Sequence, residues 1–302
     1  MSTSFRFPKF EEINPIIQLA RREDLAEDDV TSRLLIGQDA VGVGTIFQKE
    51  VGITCGLPIV EMVCRVYDSR LRVEPIPGFH LDIIEGRFSE ARSQPLVRIR
   101  GPLRSLLSAE RVLLNFLQHL CGVATQTYRF VSRVEGTGAK IYDTRKTIPG
   151  LRALQKYAVR CGGGNNHRIG LFDGMLVKDN HIAGIPLKEM VGHLSAAVEK
   201  SRAESTDRFI EVEVDSLEQL REVLKVEGVQ VILLDNMDCP KMQAAVDLRD
   251  RAGKKGKVAL EASGGVTLET VRPIALTGVE RISVGALTHS VRALDIGMEI
   301  EI

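Results

Sequence analysis

Hydrophobic residues in the second half of the chain form short runs that alternate with amphipathic stretches. Six of these runs predict strands: Lys140–Tyr142, Gly174–Val177, Phe209–Val214, Val229–Leu234, Val258–Glu261 and Arg281–Val284. The stretches between them repeat apolar residues at helical spacing, as in LKEMVGHLSAAVEK and KMQAAVDLRDRAG. Strands that alternate with helices predict right-handed crossovers and a parallel sheet. The pattern favours an α/β barrel, complete or incomplete, with a doubly wound open sheet as the alternative.

The first hundred residues have a different, mixed pattern. Val41–Lys49 and Leu96–Arg100 predict strands, and Pro58–Tyr67 predicts a helix with proline in its first turn. A long helix with few breakers is predicted to run from Leu103 to about Arg133. This helix marks the change between the mixed region and the regular strand–helix alternation.

Composition narrows the class of protein. The 302 residues are 44% hydrophobic and 26% charged, with 40 basic and 40 acidic side chains. A balanced charge argues against a nucleic-acid or anionic-membrane binder, so any cationic site must be local. No apolar run reaches the roughly 18–20 residues of a membrane span. The five cysteines contain no Cys-x-x-Cys pair and indicate a cytoplasmic protein with free thiols.

Charged or small polar residues follow all six predicted strands. In α/β barrels the carboxyl ends of the strands form one mouth, where function is located. Glu211 and Glu213 lie two apart on one strand and therefore share a face. The segments at the strand ends are Asp143–Lys146, Lys178–Asn180, Glu211–Glu213, Asp235–Asn236, Glu261–Gly265 and Val284–Ala286.

Four cations, Arg145, Lys146, Arg168 and Lys178, are predicted to line this mouth. At about 6 Å and an effective dielectric of about 20, each pair repels by roughly 3 kcal/mol. Such an arrangement is useful only with an anionic ligand. Four or five charge-assisted hydrogen bonds of about 1.5–3 kcal/mol each offset the roughly 4–15 kcal/mol lost when a small polar ligand is immobilised. The sequence therefore predicts a small ligand with several negative charges.

Glycine-rich turns support this interpretation. Ser263-Gly264-Gly265 precedes a helix predicted over Thr267–Leu276, and a helix N-terminus favours phosphate. Val284-Gly285-Ala286 forms a similar turn. Each turn taken alone is more often a tight strand-to-helix connection, and only together with the nearby cations is a phosphate site favoured.

Three acidic or basic side chains also have simpler interpretations. Glu213 is either a site carboxylate or a solvated strand end, Asp235 either a site carboxylate or a cap for the next helix, and His167 either a donor or a brace for its own loop. Arg111 differs from these because no carboxylate lies three or four residues away on its helix. An unpaired cation on an apolar helix indicates an interface or a ligand.

Long motifs in this chain resemble the quinolinate phosphoribosyltransferase family, the nicotinate-nucleotide pyrophosphorylases. The resemblance rests on YDTRKT from Tyr142, GGGNNHR from Gly162, LVKDNH from Leu176, EVEVD from Glu211, LDN from Leu234 and EASGG from Glu261. The order of these motifs is that of the family, and they span most of the chain. One departure lies near the N-terminus, where Asp28 stands at a position usually occupied by glycine.

The resemblance implies an open, incomplete α/β barrel with an N-terminal α/β sandwich domain. The sandwich would comprise residues 1–113, completed by about residues 288–302, and residues 114–287 would form the linking helix and the barrel. It also implies a homodimer, or a hexamer built from dimers, whose sites are shared between neighbours. The implied reaction joins quinolinate to phosphoribosyl pyrophosphate with loss of carbon dioxide, in NAD biosynthesis, with Mg²⁺ as cofactor.

The resemblance also implies residue roles. Arg145, Arg168 and Lys178, with Arg111 from the partner subunit, would bind the quinolinate carboxylates, and Thr144, Lys146 and His167 would complete that wall. Glu213 and Asp235 would lie near the ribose and Mg²⁺ and, with Lys146, act in catalysis. The phosphate turns would be those of Ser263, Gly264, Gly265, Val284, Gly285 and Ala286.

Three other functions are compatible with the residues. A relative with the same fold would use another acceptor base, such as nicotinate. A phosphate-binding aldolase or isomerase would use Lys178 as a Schiff base or a carboxylate as a proton-transfer base. A ligand sensor would bind without turnover.

Overall fold

The computed structural model describes residues 6–76, 85–91 and 93–302. The chain divides into two compact units, and the first of them is discontinuous. The first unit contains residues 1–128, 147–163 and 287–302, and the second contains residues 129–146 and 164–286. Helix α4, Leu103–Val134, begins in the first unit and ends in the second.

The first unit combines an antiparallel sheet with helices. Its helices are the start of α4 together with α1 Phe10–Leu25, α2 Val30–Leu35, α3 Pro58–Tyr67, α5 Arg152–Cys161 and α11 Ala286–His289. Only the first residue of α11, Ala286, belongs to the second unit. Its strands are β1 Val41–Gln48, β2 Gly52–Ile53, β3 Arg72–Glu74, β4 Phe88–Ser89, β5 Gln94–Pro102 and β12 Ile296–Glu301.

Strand β12, from the C-terminal part of the chain, forms one edge of the main sheet of the first unit. Its strand order is β12-β1-β5-β3, with antiparallel pairing throughout. Strand β12 pairs with β1 over six residues, from Val43 opposite Glu301 to Gln48 opposite Ile296. Helix α3 places Ile59, Val60, Val63 and Cys64 in the core, as its apolar spacing predicts.

A buried polar cluster links α3 to α5 within the first unit. Glu85 accepts hydrogen bonds from the backbone N–H groups of Gly56 and Leu57, at 2.7 and 3.0 Å, and from the Tyr157 hydroxyl at 2.9 Å. Burial raises the pKa of Glu85 and, far more, the pKa of the adjacent Cys55 thiol. The cluster fixes the segment before α3. All five cysteines are free thiols, as the sequence predicts.

The second unit contains the predicted parallel sheet. Its strands are β6 Lys140–Tyr142, β7 Gly174–Val177, β8 Phe209–Val214, β9 Val231–Asp235, β10 Ala259–Ser263 and β11 Arg281–Ser283. Its helices are α6 Asp179–Ile182, α7 Leu187–Glu204, α8 Leu217–Val223, α9 Cys239–Arg251 and α10 Val271–Leu276. In the order β6-β11-β10-β9-β8-β7, the strands from β7 to β11 are neighbours in sequence order and β6 and β7 lie at the edges, which confirms the predicted open, incomplete α/β barrel.

One predicted helix begins later than expected. The helix predicted over Thr267–Leu276 starts only at Val271, because the Thr267 N–H donates to the Thr270 hydroxyl at 2.9 Å and holds a turn instead. The Ser263–Gly265 turn is therefore separated from the helix N-terminus. None of the helices in the described ranges combines the length and apolar character that a membrane span requires.

Candidate active site at the carboxyl ends of the parallel strands

The second unit holds all the predicted site residues except Arg111. Because its strands are parallel, the segments that follow them share one edge of the sheet. The residues at or after these strand ends are Thr144, Arg145, Lys146, Lys178, Glu213, Asp235, Ser263, Gly264, Gly265, Val284, Gly285 and Ala286. His167 and Arg168 lie in the loop that enters β7.

Strand β8 separates its carboxylates from its apolar side chains. Val212 and Val214 are buried on one face of the sheet, and Glu211 and Glu213 occupy the other. Lys178, which follows the neighbouring β7, places its Nζ 3.9 Å from Glu213 Oε2. Burial raises the pKa of Glu213; the Lys178 ammonium opposes this rise and the charge of Asp235 adds to it. Glu213 is only 12% exposed, so it is not a solvated strand end.

Asp235 ends β9 and faces the next strand's turn. Its carboxylate accepts a hydrogen bond from Asn236 Nδ2 at 2.7 Å, and the Asn236 N–H donates to the Ser263 carbonyl at 2.9 Å. The alternative that Asp235 caps α9 is wrong, because Asp238 caps that helix through the Lys241 N–H. Asp235 is therefore available to a ligand.

The turn after β10 requires glycine. Gly264 has φ +101°, and a Cβ there would lie 2.1 Å from Asn236 Oδ1. Gly265 also has positive φ, +58°, with open space around it. Two adjacent glycines thus leave backbone N–H groups accessible beside Asp235, and such backbone concavities bind anions.

The loop before β7 is fixed against β6. Asp143 is fully buried and accepts hydrogen bonds from the His167 N–H at 2.8 Å and from Asn166 Nδ2 at 2.6 Å. Asn165 forms a parallel bridge with Tyr142, and its N–H donates to the Ile141 carbonyl at 2.8 Å. These contacts hold the backbone that carries Arg168 in register with the sheet.

Two cations approach each other in this loop region. Burial lowers the pKa of Arg168, and the positive charge of Arg145 lowers it further. Arg168 Nη1 donates to the Gly174 carbonyl at 3.0 Å, and the side chain lines a cavity of about 470 Å³ beside β7. An anionic ligand would relieve the repulsion between Arg145 and Arg168, as the sequence argument requires.

His167 has protein partners at both ring nitrogens. Nε2 lies 2.8 Å from Glu211 Oε2 and 3.5 Å from Glu261 Oε1, and Nδ1 accepts the Arg168 N–H at 2.8 Å. Burial lowers the pKa of His167, but the close contact with Glu211 and the charges of Glu261 and Glu211 outweigh burial, so the net shift is upward. Nδ1 accepts the Arg168 N–H only while that nitrogen carries no proton, so this contact opposes the upward shift.

A buried network extends from His167 across the sheet. Glu261 accepts hydrogen bonds from Arg281 Nε and from the Ser283 hydroxyl. The Arg281 guanidinium lies 3.7 Å from the centre of the Tyr142 ring. Glu211 and Glu261 are fully buried, and neither carboxylate oxygen of Glu211 has a well-aligned hydrogen-bond donor among the described residues, although His167 Nε2 approaches Oε2 to 2.8 Å.

Sequence reasoning did not assign roles to Arg281, Glu211 or Glu261. The available signal was a charged side chain within each of three short, otherwise buried parallel strands, where continuous apolar runs are usual. The pairing of Arg281 with Glu261 depends on the register of β11 against β10, which the sequence does not state.

Arg111 lies in the first unit, on α4. It is exposed and forms no ion pair or hydrogen bond with any residue that the structure describes. This agrees with the absence of a carboxylate at helical spacing.

The residues present suit Mg²⁺. Glu213 and Asp235 offer hard carboxylate oxygens on adjacent strands, close enough for the Asp235 charge to affect Glu213. Mg²⁺ is held in proteins by one or two carboxylates together with substrate phosphates, and the Gly264 turn beside Asp235 is a candidate phosphate site.

The parallel sheet is open, and cations, two carboxylates and glycine turns lie at the carboxyl ends of its strands. This combination is typical of an enzyme that binds phosphorylated anions. Residues 29–121 match the family model of the quinolinate phosphoribosyl transferase N-terminal domain, and residues 123–299 match that of the C-terminal domain. The chain belongs to the quinolinate phosphoribosyl transferase family.

Individual relatives agree. The nicotinate-nucleotide pyrophosphorylase [carboxylating] of Mycobacterium leprae is 43% identical over 294 residues, covering 97% of this chain and 98% of its own. The probable enzyme of that name from Bacillus subtilis is 37% identical, covering 92% and 90%. The solved structure of the Francisella tularensis nicotinate-nucleotide pyrophosphorylase is 32% identical, with a TM-score of 0.86 over all of both chains.

Proposed function

We propose that this chain joins quinolinate to phosphoribosyl pyrophosphate and forms nicotinate mononucleotide, pyrophosphate and carbon dioxide, in NAD biosynthesis. Family membership along nearly the whole chain supports the reaction. One observation supports a site for this reaction in the second unit. Lys178 lies next to Glu213 at the carboxyl ends of the parallel strands, and the charge of Arg145 acts on Arg168. Free thiols agree with a reducing, cytoplasmic location.

The acceptor is bound by cations. Arg145, Arg168 and Lys178 pair with the two carboxylates of quinolinate, and Thr144 contributes its hydroxyl. Quinolinate satisfies more of these cations than nicotinate does, because nicotinate has a single carboxylate. A buried charged group left unpaired costs at least about 1–3 kcal/mol, so the site selects the dicarboxylate.

The donor is bound by the carboxylates and the turns. The N–H groups of the Ser263–Gly265 and Val284–Ala286 turns contact phosphate oxygens, while exposed Lys146 belongs to the wall that binds the acceptor. Glu213 and Asp235 lie near the ribose hydroxyls and would hold Mg²⁺ together with substrate oxygens. A Mg²⁺ ion held there would supply positive charge beside the leaving pyrophosphate.

The chemistry needs no protein nucleophile. The ring nitrogen of quinolinate attacks the anomeric carbon as the bond to pyrophosphate breaks, and positive charge develops on the ribose. Glu213 and Asp235 stabilise this charge electrostatically. The bond from the ring to the 2-carboxylate then breaks, carbon dioxide leaves, and the cationic ring nitrogen stabilises the electron pair until a proton replaces it.

The active assembly is a homodimer, or a hexamer built from dimers, in which Arg111 serves the neighbouring subunit's site. The exposure of Arg111 and its lack of a partner among the described residues support this role. Arg111→Ala and Lys178→Ala should each be nearly inactive, and a mixture that exchanges subunits should regain activity in heterodimers with one intact site. No recovery despite demonstrated exchange would contradict a shared site.

A paired assay tests the reaction. Quinolinate should yield equimolar pyrophosphate and carbon dioxide, and nicotinate should react at least about a thousandfold less efficiently by kcat/KM, because sites built around buried polar groups reject analogues that lack the partner. Comparable efficiency with nicotinate would favour a non-decarboxylating relative. Borohydride trapping of a sugar phosphate on Lys178 would instead favour Schiff-base chemistry.

A further inference from the structure

We propose that Cys55, Glu85 and Cys161 form a metal site in the first unit that binds Zn²⁺. The three residues lie far apart along the chain and belong to the same compact unit. The site is separate from the carboxylates Glu213 and Asp235, which belong to the second unit. It takes no part in the proposed reaction, so the two proposals stand or fall independently.

The first observation is the chemistry of the atoms that converge. One ligand atom from each of Cys55, Glu85 and Cys161 lies within 4.8 Å of the other two. Both cysteines are buried and carry free thiols. Sulfur of cysteine and oxygen of a carboxylate are both ordinary ligands of Zn²⁺, whereas Mg²⁺ is held by oxygen. The two sulfur atoms therefore favour Zn²⁺ over Mg²⁺.

The second observation is the distance between two of these atoms. Cys161 Sγ lies 3.8 Å from Glu85 Oε1, and its S–H donates to that oxygen. Zinc bonds of about 2.3 Å to sulfur and about 2.0–2.2 Å to oxygen, at the tetrahedral angle, place the two ligand atoms about 3.5–3.7 Å apart. A Zn²⁺ ion can thus take the place of the thiol proton with little movement of either side chain.

The third observation is that Glu85 is already held in place. Its Oε1 accepts the Gly56 N–H at 2.7 Å and the Tyr157 hydroxyl at 2.9 Å, and its Oε2 accepts the Leu57 N–H at 3.0 Å. Carboxylates that bind metals are themselves hydrogen-bonded, and these partners orient the ligand. The three donors would also stabilise the negative charge that two thiolates and a carboxylate carry in excess of Zn²⁺.

Cys55 is fixed from another direction, by Cys121. The Cys55 N–H donates to Cys121 Sγ at 3.1 Å, and the Cys55 carbonyl accepts the Cys121 thiol at 3.2 Å. Cys55 precedes α3, and Cys161 is the last residue of α5. A bound Zn²⁺ would therefore join these two helices within the first unit.

A second cluster of possible metal ligands contains His167, Glu211 and Glu261. It differs because Arg281 pairs with Glu261 and already supplies positive charge there. It also offers no sulfur, so a thiophilic cation distinguishes the two clusters.

Cobalt titration tests the ligands directly. Co²⁺ occupies zinc sites and gives a strong sulfur-to-metal charge-transfer absorption only when a thiolate binds it. The reduced wild-type protein should bind about one Co²⁺ per chain with this absorption, and Zn²⁺ should displace it. Cys55→Ser and Cys161→Ser should each weaken Co²⁺ binding by at least about a hundredfold, the upper range for loss of a ligand's hydrogen-bond partner. Cys64→Ser removes another buried thiol of the same unit and should leave the titration unchanged.

Tyr157→Phe keeps all three ligands and removes a donor to Glu85. It should retain the charge-transfer absorption and weaken Co²⁺ binding by about 10–100-fold. Unchanged affinity in this variant would contradict the assignment of Glu85 as a ligand. A wild-type protein without the absorption, or a Cys161→Ser protein that keeps it at wild-type affinity, would overturn the proposal.

Proton release by the wild-type protein needs no variant to fold. Both thiols carry a proton before the metal binds, because Cys161 donates to Glu85 and burial raises the pKa of Cys55 well above its usual range. Cysteine binds metals as the thiolate, so Zn²⁺ binding near neutral pH should release about two protons. Calorimetry in buffers of different ionisation enthalpy measures this number. If Zn²⁺ binds without releasing protons, sulfur is not its ligand and the proposal fails.

Discussion

Removing the guanidinium of Arg281 should destabilise the second unit strongly. Arg281 is 15% exposed and pairs with Glu261, which is fully buried, at hydrogen-bond contact. At about 3 Å and an effective dielectric of about 20, the pair attracts by roughly 5 kcal/mol. Breaking a buried pair by removing one partner typically costs about 3–5 kcal/mol, because a buried charge remains. The contact of the guanidinium with the Tyr142 ring, at 3.7 Å, adds about 1 kcal/mol.

Arg281→Met keeps the length and removes the charge. We expect the free energy of unfolding to fall by about 4–6 kcal/mol, which corresponds to a loss of about 8–24 °C in Tm at roughly 2–4 °C per kcal/mol. Urea unfolding followed by circular dichroism, together with calorimetry, measures both quantities. Arg221→Met is the matched control, since Arg221 is 54% exposed, lies 3.7 Å from exposed Glu218 and should contribute at most about 1 kcal/mol.

The double variant Arg281→Met with Glu261→Gln separates charge from packing. Because it removes the uncompensated carboxylate, it should recover more than half of the lost stability. If Arg281→Met alone stays within about 1 kcal/mol of the wild type, water reaches Glu261 and the buried network described for this sheet is wrong.

Three further changes have defined outcomes. Glu213→Gln should lower kcat/KM by at least about a hundredfold while calorimetry shows unchanged quinolinate affinity, because the lost charge stabilises the transition state; lost quinolinate affinity would contradict its role at the donor. Gly264→Ala should raise KM for phosphoribosyl pyrophosphate, because φ is +101° at this position and the new Cβ would collide with Asn236. Gly253→Ala is the control: φ there is +68°, the space around it is open, and the kinetics should stay unchanged. Burial raises the pKa of Tyr67 to about 12, with the charge of Asp24 adding to it. Its unfolded pKa is about 10, so the stability that Tyr67 contributes is complete below about pH 10 and is lost as the pH rises toward 12. Tyr67→Phe should abolish this loss, and the difference between the absorbance titrations of wild type and variant should show one phenol that titrates near 12; a difference centred near 10 would refute the burial of Tyr67.

The sheet was predictable because its strands are apolar and its helices are periodic. Three of the six strands, such as Gly174–Val177, have the predicted bounds, and the ends of the others differ by at most two residues. The helix expected from Thr267 was wrong in its start, because local hydrogen bonds between threonine hydroxyls and backbone compete with helical ones. Hydrophobic periodicity does not register such side-chain competition.

The candidate site was predictable in composition but not in connectivity. Polar residues at strand ends predict a binding site there, and the proximity of Lys178 to Glu213 agrees with that prediction. The orientation of His167 does not, because it depends on which neighbours surround the ring in three dimensions. Glu211 and Glu213 are both glutamates on the same face of β8. Glu211 nevertheless contacts His167 in the interior network, whereas Glu213 lies near Lys178.

The discontinuity of the first unit has a consequence for synthesis on the ribosome. Strand β1 emerges about 250 residues before its partner β12, and the whole second unit is translated between them. The second unit can thus complete its sheet while one edge of β1 still lacks a neighbour, and an unpaired edge is prone to pair with other chains. Strand β12, Ile296–Glu301, therefore covers this edge as well as completing the sheet. Chains that lose this strand by premature termination should accumulate as aggregates that contain a folded second unit.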